Sequence, residues 1–235
     1  MQKLILFPIA STLVGIGLIA VALQGETTVQ MTSAIAGQRS YEVTGFDKVS
    51  AAGPMHVLVT VGPATSVRAE GPNETLDGYE VEVGHGSLQI KPKRHNFWNS
   101  SWKELKPATF RVTVPRLSTT SIAGSGDMKV DRVDGKKFAA SVAGSGALTA
   151  HGRAGKANVS IAGSGNMHLH KLASDDANVS IVGSGNAALT VRDDGAVSVI
   201  GSGEVDVAGP AHCSVSRFGG GHVSCNGQLQ GGEDG

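Results

Sequence analysis

Paired acidic residues would be the first sign of chemistry in this chain, because enzymes that hydrolyse polysaccharides use two carboxylates roughly 5–9.5 Å apart. Asp127 and Glu204 each directly follow a Gly-Ser-Gly tripeptide, but those tripeptides are four repeats apart. If each repeat forms one coil of stacked strands, the two acids lie on the order of 19 Å from each other. We interpret Glu204 and the nearby Asp206 as solvated edge charges, and we expect no catalytic residues.

Metal ligands are the second class of candidates. Calcium-binding repeats carry an aspartate in every copy, whereas here Asp127 is the only aspartate directly after a tripeptide. His151 and His170 each lie seven residues after the first glycine of adjacent repeats, and His168 is two residues from His170. Three neighbouring imidazoles would suit zinc or copper, but we favour exposed polar residues at a variable turn. We therefore expect no metal and no other cofactor.

The two cysteines of the chain, Cys213 and Cys225, both lie near the C-terminus. They would form a disulfide if the protein folds in an oxidising compartment. The alternative is a pair of small buried thiols, because the sequence does not show the geometry that a bridge requires.

The segment of residues 91–107 concentrates aromatic and basic side chains. It contains both tryptophans of the chain and five Lys or Arg residues. Aromatic rings beside cations suit contact with sugars, anionic envelope polymers or a protein partner. The alternative is that the tryptophans fold back over an open edge or end of a β-structure. The candidate ligand-binding residues are Lys93, Arg94, Phe97, Trp98 and Trp102.

The elements that would position these residues follow from an internal repeat. Gly-Ser-Gly begins at five positions with spacings of 18 to 20 residues, and a degenerate Gly-Gly-Gly copy begins at Gly219. Glycine suits a tight corner because it tolerates positive φ without a Cβ clash. The predicted corner glycines are Gly124, Gly126, Gly144, Gly146, Gly163, Gly165, Gly183, Gly185, Gly201 and Gly203.

The residues around each tripeptide alternate like a β-strand with one apolar face. Two residues before the first glycine stand Ile122, Val142, Ile161, Ile181 and Val199, and a serine stands one residue earlier in every copy. One repeat cannot bury its apolar face alone, whereas stacked repeats would form a continuous core. We therefore predict an all-β fold, a right-handed parallel β-solenoid (β-helix) with about 18–20 residues per coil.

Two other architectures compete with the solenoid. A propeller is disfavoured because a four-stranded blade needs roughly 40 residues. An array of antiparallel hairpins remains an alternative, since the second turns of some repeats carry turn signals such as Asp134-Gly135.

The composition changes along the chain in a way that predicts its organisation. Lys3 is followed by an almost wholly apolar stretch from Leu4 to Leu23. Residues 1–25 are therefore predicted to be a signal peptide or an N-terminal membrane anchor, since roughly 20 apolar residues span a bilayer. Residues 26–43 are predicted to be a linker and residues 44–117 an irregular β region. The regular solenoid is predicted over residues 118–227, followed by a flexible tail at 228–235. Either fate of the N-terminal segment predicts export to the periplasm or cell envelope.

The charge balance narrows the classes of partner. The chain of 235 residues carries 20 basic and 20 acidic residues. This balance argues against a nucleic-acid partner, because binding phosphates requires an excess of positive charge. Membrane contact is expected only through the N-terminal segment if it stays uncleaved. Oligomers could form through the open ends of a solenoid.

The order of the motifs resembles a bacterial domain family. The motifs are Gly-Phe-Asp-Lys-Val at 45–49, strands at 57–62, 86–90 and 110–115, and Ser-Ile-Ala-Gly-Ser-Gly at 121–126 and 160–165. Across about residues 44–225 the chain resembles the auto-transporter adhesin head GIN domain family. That resemblance implies an exported β-helical domain and brings no catalytic residues.

These observations favour a non-catalytic, exported scaffold of the cell envelope. Its expected role is binding or adhesion to a glycan, an envelope polymer or a protein partner. A purely structural periplasmic spacer is the first alternative, and a polysaccharide-acting β-helix enzyme is the second.

Overall fold

The computed structural model describes residues 26–28, 31–35, 37–93 and 107–230. These residues form 18 strands of one hydrogen-bonded sheet and a short helix, α1 at Asn73–Asp77. The strands are β1 (Glu26–Thr28), β2 (Met31–Ile35), β3 (Gln38–Tyr41), β4 (Lys48–Ala52), β5 (Met55–Val61), β6 (Ser66–Glu70), β7 (Tyr79–Gly84), β8 (Ser87–Pro92), β9 (Ala108–Val114), β10 (Thr119–Gly124), β11 (Asp127–Gly144), β12 (Ala147–Gly163), β13 (Asn166–Gly183), β14 (Asn186–Gly201), β15 (Glu204–Ala208), β16 (His212–Phe218), β17 (His222–Cys225) and β18 (Gln228–Gln230).

The Gly-Ser-Gly repeats form parallel coils that stack in register. Ser121 pairs with Ser141, Ser141 with Ser160, and Ser160 with Ser180, each at the same position of successive coils. The serine row continues to the C-terminal end, where Ser180 pairs with Ser198 and Ser198 with Ser216. The prediction of a parallel β-solenoid is therefore confirmed, and the hairpin array is excluded for the repeat region.

The core of the solenoid is the apolar column that the sequence pattern predicts. Ile122, Val142, Ile161, Ile181 and Val199 are each at most 2% exposed. Register stacking places each of these side chains against the equivalent side chain of the next coil. Burying one such side chain contributes roughly 1.5–3 kcal/mol, so the column holds neighbouring coils together.

The corner glycines have two separate physical reasons to be glycine. Gly144 has φ +118°, a conformation that residues with a Cβ rarely adopt. The second glycine, Gly146, is constrained by space, because an added Cβ would lie 2.4 Å from the carbonyl oxygen of Gly126. The backbone of each corner thus lies directly on the corner before it.

The coil formed by β4 and β5 has no Gly-Ser-Gly signature and lies within residues 44–117, which are predicted to be an irregular β region. β4 pairs with β10 and β5 with β11, so Gly53-Pro54-Met55 occupies a corner. Gly53 has φ +105°, and its N–H donates to the carbonyl of Ala123 at 2.8 Å. On their other sides β4 and β5 pair in parallel with β8 and β9. The order of coils along the stack therefore differs from their order in the sequence.

The N-terminal end of the stack is covered by antiparallel strands. β6 pairs with β9 and with β3, which in turn pairs with β2, while β7 joins β8 to β1. These pairings satisfy strand edges that would otherwise stay open. The structure therefore places strands within residues 26–43, where the sequence analysis expects a linker. The predicted N-terminal signal or anchor, residues 1–25, lies outside the described residues.

The C-terminal end of the stack carries a covalent link. Cys213 and Cys225 form a disulfide between β16 and β17, with their Cα atoms 6.6 Å apart, within the usual range for such bridges. Cys213 is fully buried. β18 adds a further parallel segment beside β16, at the start of the tail that is expected to be flexible.

Candidate ligand-binding face

Over the five residues before each corner, the outward side chains of the repeat strands carry no charge. Its side chains are those one, three and five residues before the first glycine, and from β10 to β16 none is Asp, Glu, Lys or Arg. The central row consists of serines that pair in register from coil to coil. We call this surface the ladder face; its serine row is Ser121, Ser141, Ser160, Ser180, Ser198 and Ser216.

The row next to the corners grows in size towards the C-terminal end. It begins with Ala123, Ala143 and Ala162 and continues with larger apolar residues. Val182, Ile200 and Phe218 pair in register and are 51%, 49% and 70% exposed. Among the described residues these three are the exposed large apolar side chains. We call them the apolar stripe.

The apolar stripe lies between two rows of hydroxyl groups. On one side are Ser180, Ser198 and Ser216 of the serine row, two residues away along each strand. On the other side are the exposed corner serines Ser184 and Ser202. An exposed apolar row is otherwise unfavourable in water, and such patches commonly mark binding sites. The arrangement suits a ligand with an apolar face and polar edges.

A shallow groove of about 300 Å³ lies at the far margin of the ladder face. Asp176 and Asp194, which pair in register, line it together with Lys156 and His212. An amide hydrogen bond of 3.3 Å from Asn178 Nδ2 to Asn158 Oδ1 links two coils beside the groove. No group of three His, Cys, Asp or Glu side chains in the described part of the chain is arranged to hold a metal ion.

The histidines considered as metal ligands lie on a different side of the coils. The register that pairs Thr149 with His168 shifts by one residue before Gly152 pairs with Leu172. His151 and His170 fall within this irregular stretch and are not paired with each other in the register. His151 and His170 are therefore not at equivalent positions of their coils, although each lies seven residues after the first glycine of its repeat.

The acidic residues considered for catalysis are separated as the spacing predicts. Asp127 and Glu204 occupy the same position of their coils but are four coils apart. The residues at this position in the coils between them are Ala147, Asn166 and Asn186. The Asp127 carboxylate lies 3.3 Å from His56 Nδ1 of the adjacent coil. The two acids do not meet in one site.

The aromatic and basic segment is attached at a corner position of the stack. Lys93 is exposed, and its N–H donates to the carbonyl of Gly78 at 2.9 Å. Pro92, near the start of the segment, and Ala108, directly after its end, flank the corner of Gly53 and Met55. The candidate residues Arg94, Phe97, Trp98 and Trp102 lie outside the described residues.

Comparison with known proteins identifies the family of the chain. The family model described as "Putative auto-transporter adhesin, head GIN domain" matches residues 45–211. The chain belongs to this family. The match covers both the N-terminal coils and the Gly-Ser-Gly repeats, so the resemblance noted in the sequence is confirmed. No curated protein matches the chain in sequence.

Two solved structures share the fold of this family member. A putative adhesin from Bacteroides fragilis is 20% identical with a TM-score of 0.59, covering 80% of this chain and 95% of that one. A putative adhesin from Parabacteroides distasonis is 17% identical with a TM-score of 0.51, covering 80% of this chain and 95% of that one. At these identities the likeness establishes the β-solenoid fold.

The apolar stripe is the feature that the sequence analysis missed. Its signal lies directly before the first glycine of each copy, where alanine gives way to Val182, Ile200 and Phe218. That position alternates with the buried column and is therefore an outward one. A large apolar residue at an outward position is the pattern that would have predicted the stripe.

Proposed function

We propose that this protein is an exported, non-catalytic binding or adhesion module that contacts its partner through the ladder face. The observation that carries the proposal is the exposure of Val182, Ile200 and Phe218. These residues pair with one another at the same position of successive coils and so form one row. Three apolar side chains stay in water at a free-energy cost that a partner would recover by covering them. A purely structural spacer would be expected to present polar residues there.

The membership of an adhesin-like family supports this function. The family description and the two solved relatives are named for adhesion. The paired carboxylates of a hydrolase are not assembled around Asp127 and Glu204, which supports a role in binding rather than in catalysis.

Two observations support export. The apolar stretch from Leu4 to Leu23, within residues 1–25, has the composition of a signal peptide or anchor. The disulfide between Cys213 and Cys225 is typical of proteins that fold in an oxidising compartment. Periplasm, cell envelope and cell surface all meet this condition.

The test is a comparison of two triple variants for binding to purified cell-envelope material. The first replaces Val182, Ile200 and Phe218 with alanine, the residue that three earlier coils carry at this position. The fold should therefore tolerate the change. We expect the labelled wild-type protein to sediment with the envelope material and this variant to lose at least tenfold in affinity.

The matched control replaces three outward residues on the other side of the corners, Lys129, His168 and Asp206, with alanine. All three are exposed, and we expect this variant to bind like the wild-type protein. Equal binding by the stripe variant and the wild type would refute the ladder face as the contact surface. No binding by the wild-type protein would refute the binding function itself.

A further inference from the structure

We infer that the partner of the ladder face is a linear, neutral, β-linked glycan that lies along the solenoid axis with one sugar ring per coil. This inference rests on the proposed binding function and names the class of its ligand. The geometry that points to it is the apolar stripe, which the serine row borders on one side along its whole length. On the other side the corner serines Ser184 and Ser202 border Val182 and Ile200.

The repeat distance of the face matches the length of a sugar. Successive residues of the stripe are related by one coil, ~4.8 Å in a stacked β-structure. A pyranose ring in an extended glycan advances the chain by a similar distance, so successive rings meet successive side chains. A ligand with a different repeat would lose register within a few coils.

The chemistry across the face matches the two sides of such a ring. A β-linked pyranose with equatorial hydroxyls presents C–H groups above and below the ring and hydroxyls around its edge. The C–H groups would pack on Val182 and Ile200 and over the ring of Phe218, whose face carries partial negative charge. The hydroxyls at the edge would reach Ser180 and Ser198 on one side and Ser202 on the other, since a serine hydroxyl both donates and accepts.

The absence of charge selects a neutral ligand. From β10 to β16 the outward residues of the ladder face include no Lys, Arg, Asp or Glu. The nearest charged row on these strands, which includes Lys156, Asp176 and Asp194, lies six residues before the stripe row, or ~20 Å along an extended strand. An ionised polymer laid along the stripe would therefore lose hydration without gaining an opposite charge beside it, which is unfavourable. A neutral glycan has no such cost.

A second copy of the chain is a weaker fit to this surface. Six coils at ~4.8 Å and five residues at ~3.3 Å give a face of about 500 Å². Two copies packed face to face would bury about 1,000 Å² in total, below the 1,200–2,000 Å² that is usual for stable interfaces. A glycan needs only the stripe and its bordering serines.

The experiment is isothermal titration of the wild-type protein with cello- and chito-oligosaccharides of two to six sugars. We expect affinity to rise with length up to about three sugars, one for each residue of the stripe, and then to level off. Polygalacturonate, which is anionic, and malto-oligosaccharides, which are α-linked and curved, should bind at least tenfold more weakly.

Two variants test the register directly. Replacing Val182, Ile200 and Phe218 with alanine should lower the affinity for the three-sugar ligand at least tenfold. Replacing Ala143 and Ala162 with valine extends the stripe by two coils. It should move the plateau from three sugars to about five, which a general change in stability would not do.

The outcomes separate this inference from the proposed function. If the protein binds envelope material through the stripe but none of the neutral oligosaccharides at millimolar concentration, the glycan inference is wrong and the binding function stands. Tighter binding of polygalacturonate, an unchanged plateau in the extended variant, or a stripe-dependent dimer in sedimentation velocity would each overturn the inference. Failure to bind envelope material would overturn both.

Discussion

The carbonyl oxygen of Gly124 lies where the side chain of Gly144 would begin: a Cβ added to Gly144 would be 2.5 Å away from it. The same oxygen accepts hydrogen bonds from the N–H groups of Ser145 and Gly146 at 2.9 and 3.0 Å. The close approach that excludes a side chain is therefore also the contact that joins two corners. The contact recurs at the next two corners, where a Cβ on Gly163 or Gly183 would lie 2.6 or 2.3 Å from the carbonyl oxygen of the first glycine in the preceding corner.

Substitution of this glycine should be costly. Gly144→Ala combines an unfavourable positive φ with a backbone clash, and strain of this kind costs of order 1–3 kcal/mol. We expect at least that loss in the free energy of unfolding, measured by urea denaturation. Gly135→Ala is the matched control, because its Cβ would meet nothing closer than 3.7 Å. Equal losses in the two variants would contradict the corner explanation.

The buried column should respond as a tightly packed core. Ile161 is 1% exposed, and truncation of such residues typically costs 2–5 kcal/mol through lost burial and a residual cavity, so we expect about 3 kcal/mol for Ile161→Ala. Its neighbour Ala162 points outward, and Ala162→Ser should change the stability by less than about 0.5 kcal/mol. Urea denaturation of both variants measures the difference. A small effect at Ile161 would show that the coils do not share one interior.

The disulfide should stabilise the C-terminal end. Cys213 and Cys225 are 12 residues apart in sequence, and closing a loop of this size contributes roughly 3 kcal/mol, mainly by restricting the unfolded chain. The double variant Cys213→Ala with Cys225→Ala should lose about that amount. Thermal unfolding with and without reductant is the measurement. In reductant, the wild-type protein should unfold at the same temperature as the variant. The unfolding temperature of the variant should not change with reductant, which serves as the control.

An ion pair between β7 and β8 predicts that the stability of the protein depends on pH. Lys91 Nζ lies 2.6 Å from Glu82 Oε2, and this hydrogen bond lowers the pKa of the Glu82 carboxyl. A lowered folded-state pKa adds stability above the ordinary carboxyl pKa, and that stability is lost as the pH falls through the folded value.

Glu82→Gln should therefore reduce stability at pH 7 by a few tenths to about 1 kcal/mol, since the pair is partly exposed. The difference from the wild type should shrink as the pH falls below the ordinary carboxyl pKa of about 4.3, and it should disappear once the pH is below the lowered folded-state pKa. Urea denaturation at a series of pH values from 7 downwards tests this. If the two proteins differ in free energy of unfolding by the same amount at every pH, the glutamine side chain disturbs the packing and the charge of Glu82 is irrelevant.

The tryptophan segment keeps its two sequence-based interpretations. If Trp98 and Trp102 contact a ligand, replacing both with alanine should weaken envelope binding and leave the melting temperature unchanged. If they cover part of the β-structure, the melting temperature should fall while binding persists. Parallel sedimentation and thermal unfolding of the double variant distinguish the two.

The repeat region was predictable because each position of a coil recurs with the same physical role. Serine at 121, 141, 160 and 180 marks one outward row, and the aliphatic residue after it marks the core. Parallel stacking follows, since one coil alone leaves its apolar face in water. The corner glycines were predictable from the same recurrence.

The N-terminal half was less predictable because its coils are interrupted. Gly53-Pro54-Met55 forms a corner without the tripeptide, and its coil lies next to that of Gly124, 71 residues further along. Chain order does not reveal such a stacking order. The antiparallel strands of residues 26–43 depend on pairing with distant edges, which local composition does not indicate.

The central claim is that the apolar stripe contacts the ligand, and methyl NMR tests it most directly. Spectra of the ¹³C-methyl-labelled protein would be recorded with and without envelope glycan, with Val182 and Ile200 assigned by substitution. We expect the methyl signals of these two residues to shift on binding, while those of the buried Ile122 and Ile161 stay in place. Binding that moves other methyl signals and leaves Val182 and Ile200 unchanged would contradict the claim.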